Sequence, residues 1–174
     1  MKAYSYDLRR FIAGPRFAII KCMKANAVGK NYSEVELAYA AGFIDADGAI
    51  MACIEKHSEK RFGFRIRIVV KVSQKDKKII SWFWKTFNIG TIRKNRSCHE
   101  WLVRDQKDCS RILSILNPYL KGKKFQAQQA IKILNTSVKV KKDLIHSAHL
   151  ADALSRFNVR SKNRRKNFAS MIQE

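Results

Sequence analysis

Between residues 33 and 48 the chain reads SEVELAYAAGFIDADG, with Leu37, Ala40, Ala41 and Ile44 at three- and four-residue intervals. That period puts them on one face of a helix. Ser33 and Glu36 form the S-x-x-E pattern of a capping box, and Gly48 is the expected stop. The period then drops to two. Ile50, Ala52 and Ile54 alternate with Met51 and Cys53, and after a polar turn expected over residues 55–61, FRIRIVVKVS gives a second strand. Phe64, Ile66, Ile68, Val70 and Val72 take one face of it; Arg65, Arg67, Val69, Lys71 and Ser73 take the other. DKKIISWFWKTF returns to helical spacing, with Ile79, Ile80, Phe83 and Phe87 placed for burial. A second hairpin is expected from Thr91–Asn95, a turn at residues 96–98, and His99–Arg104. Helical patterns run from Gln106 to near Pro118, over KKFQAQQAIKIL, and over residues 143–157 and 161–173.

Helix, two strands, helix, two strands, then helices is the order of an α+β domain: an antiparallel sheet with helices over one face. The polar face of the second strand, set with arginine and lysine, is left for a partner. Residues 1–31 precede the pattern as an extension, and residues 32–174 read as a single domain.

Composition narrows what that partner is. The 174 residues hold 36 Lys+Arg against 14 Asp+Glu, a formal net charge of +22. Such a field draws polyanions, nucleic acid before anionic membrane. Hydrophobic residues make up 46%, which excludes a disordered basic tail. No apolar stretch is long enough to span a bilayer. The N-terminal MKAYSYDLRRFIAGPRFAIIK is basic and then apolar, but Asp7, Arg9, Arg10 and Arg16 interrupt any leader core. It reads as a structural or DNA-contacting extension. Cys22, Cys53, Cys98 and Cys109 form no C-x-x-C and no zinc-finger spacing, which fits free thiols in a reducing, intracellular compartment.

Against that charge, Asp45 and Asp47 stand one residue apart at the end of the first helix. A helix C-terminus carries partial negative charge and unpaired carbonyls, disfavouring each carboxylate by about 0.3–1 kcal/mol. Either the two acids hydrogen-bond nearby backbone and shape the turn, or a cation cancels the negative groups together. Carboxylate and exposed carbonyls make a hard-oxygen site suited to Mg²⁺ or Ca²⁺. An EF-hand is excluded, because the fifth and twelfth positions counted from Asp45 are Ala49 and Lys56. The helix also carries small residues, Ala38, Ala41 and Gly42, which suit close approach of a second backbone.

The nine residues AAGFIDADG resemble the signature of the LAGLIDADG homing endonucleases. The resemblance extends from about Tyr32 to about Asn135, and members with one motif per chain are intron-encoded homodimers. It implies an α-β-β-α-β-β-α core with an antiparallel DNA-binding sheet, here with an N-terminal extension and C-terminal helices added. It further implies that Asp47 ligates a divalent cation, with the backbone carbonyl of Ala46 assisting. Mg²⁺ is expected, with Ca²⁺ or Mn²⁺ able to substitute for binding or cleavage. Asp45 matches the motif's structural or capping acid. KVSQK supplies Gln74 where the family has a glutamine reaching water at the metal. Lys78 is the basic residue four positions on. PYLKGKK offers Lys123 as the catalytic-centre lysine, with Lys121 as the fallback. Two Asp47 carboxylates meeting across a dimer axis would complete a site that one chain leaves thin. Ala38, Ala41, Gly42 and Asp45 would line that contact.

Recognition falls to the sheet, because a two-stranded ribbon fits the major groove. Met51, Cys53, Glu55 and His57 are expected to face DNA with Arg65, Arg67, Lys71, Arg93 and Asn95. Arginine pairs bidentately with guanine, and asparagine with adenine. Between Arg156 and Lys166 stand six basic residues and no acid, so Arg164 and Arg165 are expected on backbone phosphate. His146 and His149 lack a third ligand and read as a solvated helix face. The expected function is hydrolysis of both strands of double-stranded DNA at a long pseudo-palindromic intron insertion site, in a prokaryotic cytoplasm (nucleoid) or an organelle. The alternative is an intron RNA maturase, or an RNA-binding protein of the same fold without cleavage.

Overall fold

A computed structural model describes residues 32–158 and 168–173. Chain contacts divide after Tyr32, and the elements below belong to the unit Ser33–Glu174. They are α1 (Glu34–Asp47), β1 (Gly48–Lys56), β2 (Phe64–Gln74), α2 (Lys77–Phe87), β3 (Thr91–Asn95), β4 (Cys98–Val103), α3 (Gln106–Leu116), α4 (Lys124–Asn135), α5 (Lys141–Asn158) and α6 (Phe168–Gln173). The strands form an antiparallel sheet in the order β1-β2-β4-β3, the α+β architecture expected.

α1 begins as its sequence demands. The Ser33 hydroxyl accepts the Glu36 N–H at 3.2 Å, and the Glu36 carboxylate accepts the Ser33 N–H at 3.0 Å. Its stop works differently from the expectation. Gly48 is extended, with φ −83, and β1 starts there without a loop. A Cβ on Gly48 would lie 2.7 Å from the Ile44 Cα and 2.8 Å from its carbonyl oxygen. Glycine therefore lets the helix turn straight into the sheet, which roots Asp47 at the base of β1.

Ile50, Ile68, Val70, Val72, Trp101 and Val103 fill the covered face of the sheet and are buried. α2, started by Asp76 at the Lys78 N–H (2.7 Å), adds Ile80, Phe83 and Phe87. The rings of Phe83 and Phe87 lie 5.1 and 5.9 Å from Trp101, whose indole N–H donates to the Ile89 carbonyl at 2.8 Å. β4 pairs with β2 only from Val70 onward. Beyond that point Gln106 takes its place, accepting the Ile68 N–H at 2.9 Å and donating to the Ile68 carbonyl at 3.0 Å. One side-chain amide thus satisfies backbone groups that a strand would otherwise pair. Cys109 lies within 3.4 Å of the same carbonyl, and burial pushes its thiol up to about 12, which makes it inert.

β4 runs one residue early, over Cys98–Val103 rather than His99–Arg104, and three other boundaries move. The first hairpin turn covers residues 57–63 rather than 55–61, because Glu55 stays in register with Arg65. α5 starts at Lys141 rather than 143, with the Asp143 carboxylate accepting the N–H groups of Lys139 and Val140 at 2.8 and 2.9 Å. Of the helix expected over 161–173, Phe168–Gln173 is helical, while residues 161–167, like residues 1–31, lie outside the described part. Among the described residues no helix is long and apolar enough to cross a membrane.

Candidate active site

Three element ends converge on the last turn of α1: that turn itself, the last residue of β2 and the residue before α4. The Gln74 amide donates to the Asp47 carboxylate at 2.6 Å. The register that sets Gly48 opposite Val72 brings those two ends together. Beside them, the Lys123 ammonium donates to the backbone carbonyl of Asp45. The Asp45 carboxylate accepts three backbone N–H groups, from Lys121 at 2.7 Å, Gly122 at 3.0 Å and Lys123 at 2.7 Å. Burial works to raise this carboxyl. The three amides and the Lys123 charge outweigh it and hold the group below the ordinary carboxylate value.

The acid that looked misplaced at a helix C-terminus is thereby explained. α4 has no side-chain cap of its own, and Asp45 supplies its N-terminal residues with an acceptor. The negative end of α1 faces the positive end of α4, and a lysine neutralises the carbonyl left over.

Asp47 and Ala46 are exposed. An exposed carboxylate beside a helix-end carbonyl is a hard-oxygen donor set that fits Mg²⁺, which takes one or two carboxylates and completes its shell with water and phosphate. Among the described residues no three His, Cys, Asp or Glu side chains gather, so the donors of one chain are few. Lys121 is exposed and meets Asp45 through its backbone N–H, whereas Lys123 meets it through both its backbone N–H and its ammonium. Lys78 sits exposed in the first turn of α2, four residues past Gln74, and donates its backbone N–H to the Asp76 carboxylate at 2.7 Å.

On the open face of the sheet two carboxylates hold the basic residues. Glu55 takes Arg65 at 2.7 Å and Arg67 at 3.6 Å. Glu100, 2% exposed, takes Lys71 (3.2 Å), Arg93 (2.7 Å), Asn95 (3.0 Å) and the Ser73 hydroxyl (3.1 Å). Sequence reasoning missed Glu100. Its signal was the alternation in CHEWLV, which sets it on the face of Cys98 and Leu102, opposite Ser73 and Arg93. A cavity of about 310 Å³ opens over it, lined by Ser73, Asn95, Arg96, Ser97, Cys98 and Glu100. Met51 and Cys53 lie half-buried in β1, opposite Val69 and Arg67. His57 lies just past β1, where its backbone N–H donates to the Gly63 carbonyl at 2.8 Å and opens the turn.

Ala41 is a correction. It belongs to the Leu37–Ala40–Ala41–Ile44 stripe, is fully buried, and offers nothing to a second chain. The exposed stripe of α1 is Val35 (78%), Ala38, Tyr39 (46%), Gly42 and Ala46, with Asp45 half-buried at its edge. Arg164 and Arg165 lie outside the described residues.

A family model described as LAGLIDADG endonuclease matches residues 40–135. The chain belongs to this family. Similar LAGLIDADG proteins include DNA endonuclease I-CreI of Chlamydomonas reinhardtii, 30% identical over 107 residues, 59% of this chain and 64% of that protein. The chain therefore spans less than two thirds of I-CreI. DNA endonuclease I-CvuI of Chlorella vulgaris is 30% identical over 126 residues, 70% of this chain and 78% of that protein. Among solved structures, I-CvuI in complex with the I-CreI target in 2 mM Mg, with the DNA not cleaved, superposes with a TM-score of 0.73 at 28% identity. That match covers 80% of this chain and 90% of the other. The archaeal intron-encoded homing endonuclease I-Vdi141I, complexed with DNA, superposes at 0.70 with 22% identity over 79% of this chain and 92% of the other, a likeness of fold.

Proposed function

We propose that the protein is a site-specific homing endonuclease that hydrolyses both strands of a long pseudo-palindromic DNA target, the insertion site of its intron, as an intracellular homodimer. The observation that carries this reading is that Gln74 holds Asp47 while Lys123 holds Asp45, so that three distant segments converge on the last turn of α1, beside a sheet faced with arginine, lysine and asparagine. Relatives of the same family are DNA endonucleases, and their solved complexes contain DNA, Mg or Ca.

Hydrolysis of a phosphodiester needs an oriented water, compensation of charge on the phosphate and a protonated leaving oxygen. Gln74 orients, through a side-chain amide already anchored on Asp47. Lys123 compensates, because its ammonium is fixed before the phosphate arrives. A Mg²⁺ ion held by Asp47 and the Ala46 carbonyl would add charge neutralisation and a more acidic water. The sheet enters the major groove, where Arg65, Arg67, Lys71, Arg93 and Asn95 meet base edges and phosphates. Arg164 and Arg165 grip the backbone. Residues 32–174 act as one domain, and the second domain of the active dimer is a second copy.

The test is cleavage of a plasmid carrying the intronless insertion site, with and without Mg²⁺. Asp47→Asn should abolish cutting while specific binding in Ca²⁺ persists; near-normal cleavage by the pure variant overturns the assignment. Tight binding of the intron RNA with no cut in the matching DNA would make the protein a maturase instead.

A further inference from the structure

We infer that Asp45 is a positioning residue for Lys123, acting on the rate of cutting without itself meeting DNA or a cation; this rests on Lys123 being the lysine that meets the phosphate. A free lysine side chain samples many rotamers, and ordering it costs conformational entropy. Here one residue holds both ends of the side chain. The Lys123 N–H lies 2.7 Å from one Asp45 carboxylate oxygen, and the Lys123 ammonium lies on the Asp45 carbonyl. The other carboxylate oxygen takes the N–H groups of Lys121 and Gly122. A carboxylate engaged by three amides has little left for a cation, which leaves that role to Asp47 two residues on.

A cap that only stabilised α4 would need the carboxylate alone. What sets this arrangement apart is the second contact, from the lysine tip to the same residue's carbonyl, one position before Ala46 and two before Asp47. Asp45 therefore fixes the distance between the lysine and the acid. A displacement of about 1 Å at such a centre lowers a rate about 100-fold.

The experiment begins with full-length protein free of metal and DNA. Acetylation followed residue by residue should modify Lys123 about tenfold more slowly than exposed Lys121 and Lys124, the effect of one hydrogen bond. Equal rates in the wild type overturn the inference, and this comparison stands even where a variant fails to fold. Asp45→Asn turns an amide NH₂ toward N–H donors. It should erase the labelling difference and slow single-turnover cleavage about 100-fold, with target affinity in Ca²⁺ little changed. Asp45→Asn combined with Lys123→Met should cut no more slowly than Lys123→Met alone. A further full loss in the double variant overturns the positioning role. Lys123→Met that cuts like the wild type sinks the reading of Lys123 itself.

Discussion

At 2% exposure, Glu100 is a carboxylate under a face of positive charge, and its four donors come from β2 and β3. Burial alone would raise its pKa; Asn95, Arg93, Lys71 and Ser73 reverse that and draw it from 4.5 to about 2. The folded value lies below the unfolded one. Its stabilisation is therefore complete above about pH 4.5 and is lost as pH falls toward 2. Glu100→Gln should lower stability at pH 7 by about 3 kcal/mol. It should also remove part of the acid-induced decline, while Asp45 and Glu55, common to both proteins, keep theirs. Urea unfolding at pH 7 and pH 3 reads both effects, and an equal decline in the two proteins contradicts the account. That Gln74 would lie near Asp47, and Lys123 near the end of α1, was legible because each sits at a fixed offset from a motif. Glu100 was not, because its meaning lies in cross-strand neighbours, and register is not written in one strand. Ala41 misled for a related reason: its size suited an interface while its spacing already placed it in the core.

Elements were legible where one face is apolar and the period is clean, as in α2 and β2. What the pattern could not reveal were the joints. Gly48 was read as a stop of the usual kind, yet its function is steric, since a methyl there meets the Ile44 backbone at 2.7–2.8 Å. A methyl on Gly42, in the same helix, would meet nothing within 4 Å. Gly48→Ala should cost about 1–3 kcal/mol through overpacking, and cleavage should fall with it because Asp47 shifts against Gln74. Gly42→Ala should leave the protomer as stable or stabilise it by roughly 0.5–1 kcal/mol, the helix preference for alanine. Thermal melts of the two variants at low concentration compare them directly; equal melting temperatures count against the joint. Gln106 went unread for the same reason, because an amide substituting for a strand leaves no periodic trace.

Assembly is a property of the whole molecule, and the proposed dimer would draw on one exposed stripe of α1. Val35, Ala38, Tyr39, Gly42 and Ala46 share the exposed side of α1, and that side ends at Asp47. A two-fold contact along it would use the same patch twice and bring two Asp47 carboxylates toward one axis. Small residues at Ala38 and Gly42 set how near the helices come, while Val35 and Tyr39 supply apolar area. Gly42→Leu separates assembly from folding, because its side chain enters open space in the protomer. Far-ultraviolet dichroism should stay that of the wild type. Sedimentation should shift from dimer to monomer, and double-strand cleavage and binding to the full target should fall together. A half-site should still be bound, weakly and with steep salt dependence, because the sheet of each chain is intact. A Gly42→Leu protein that remains dimeric and cuts both strands would move the interface elsewhere on the molecule.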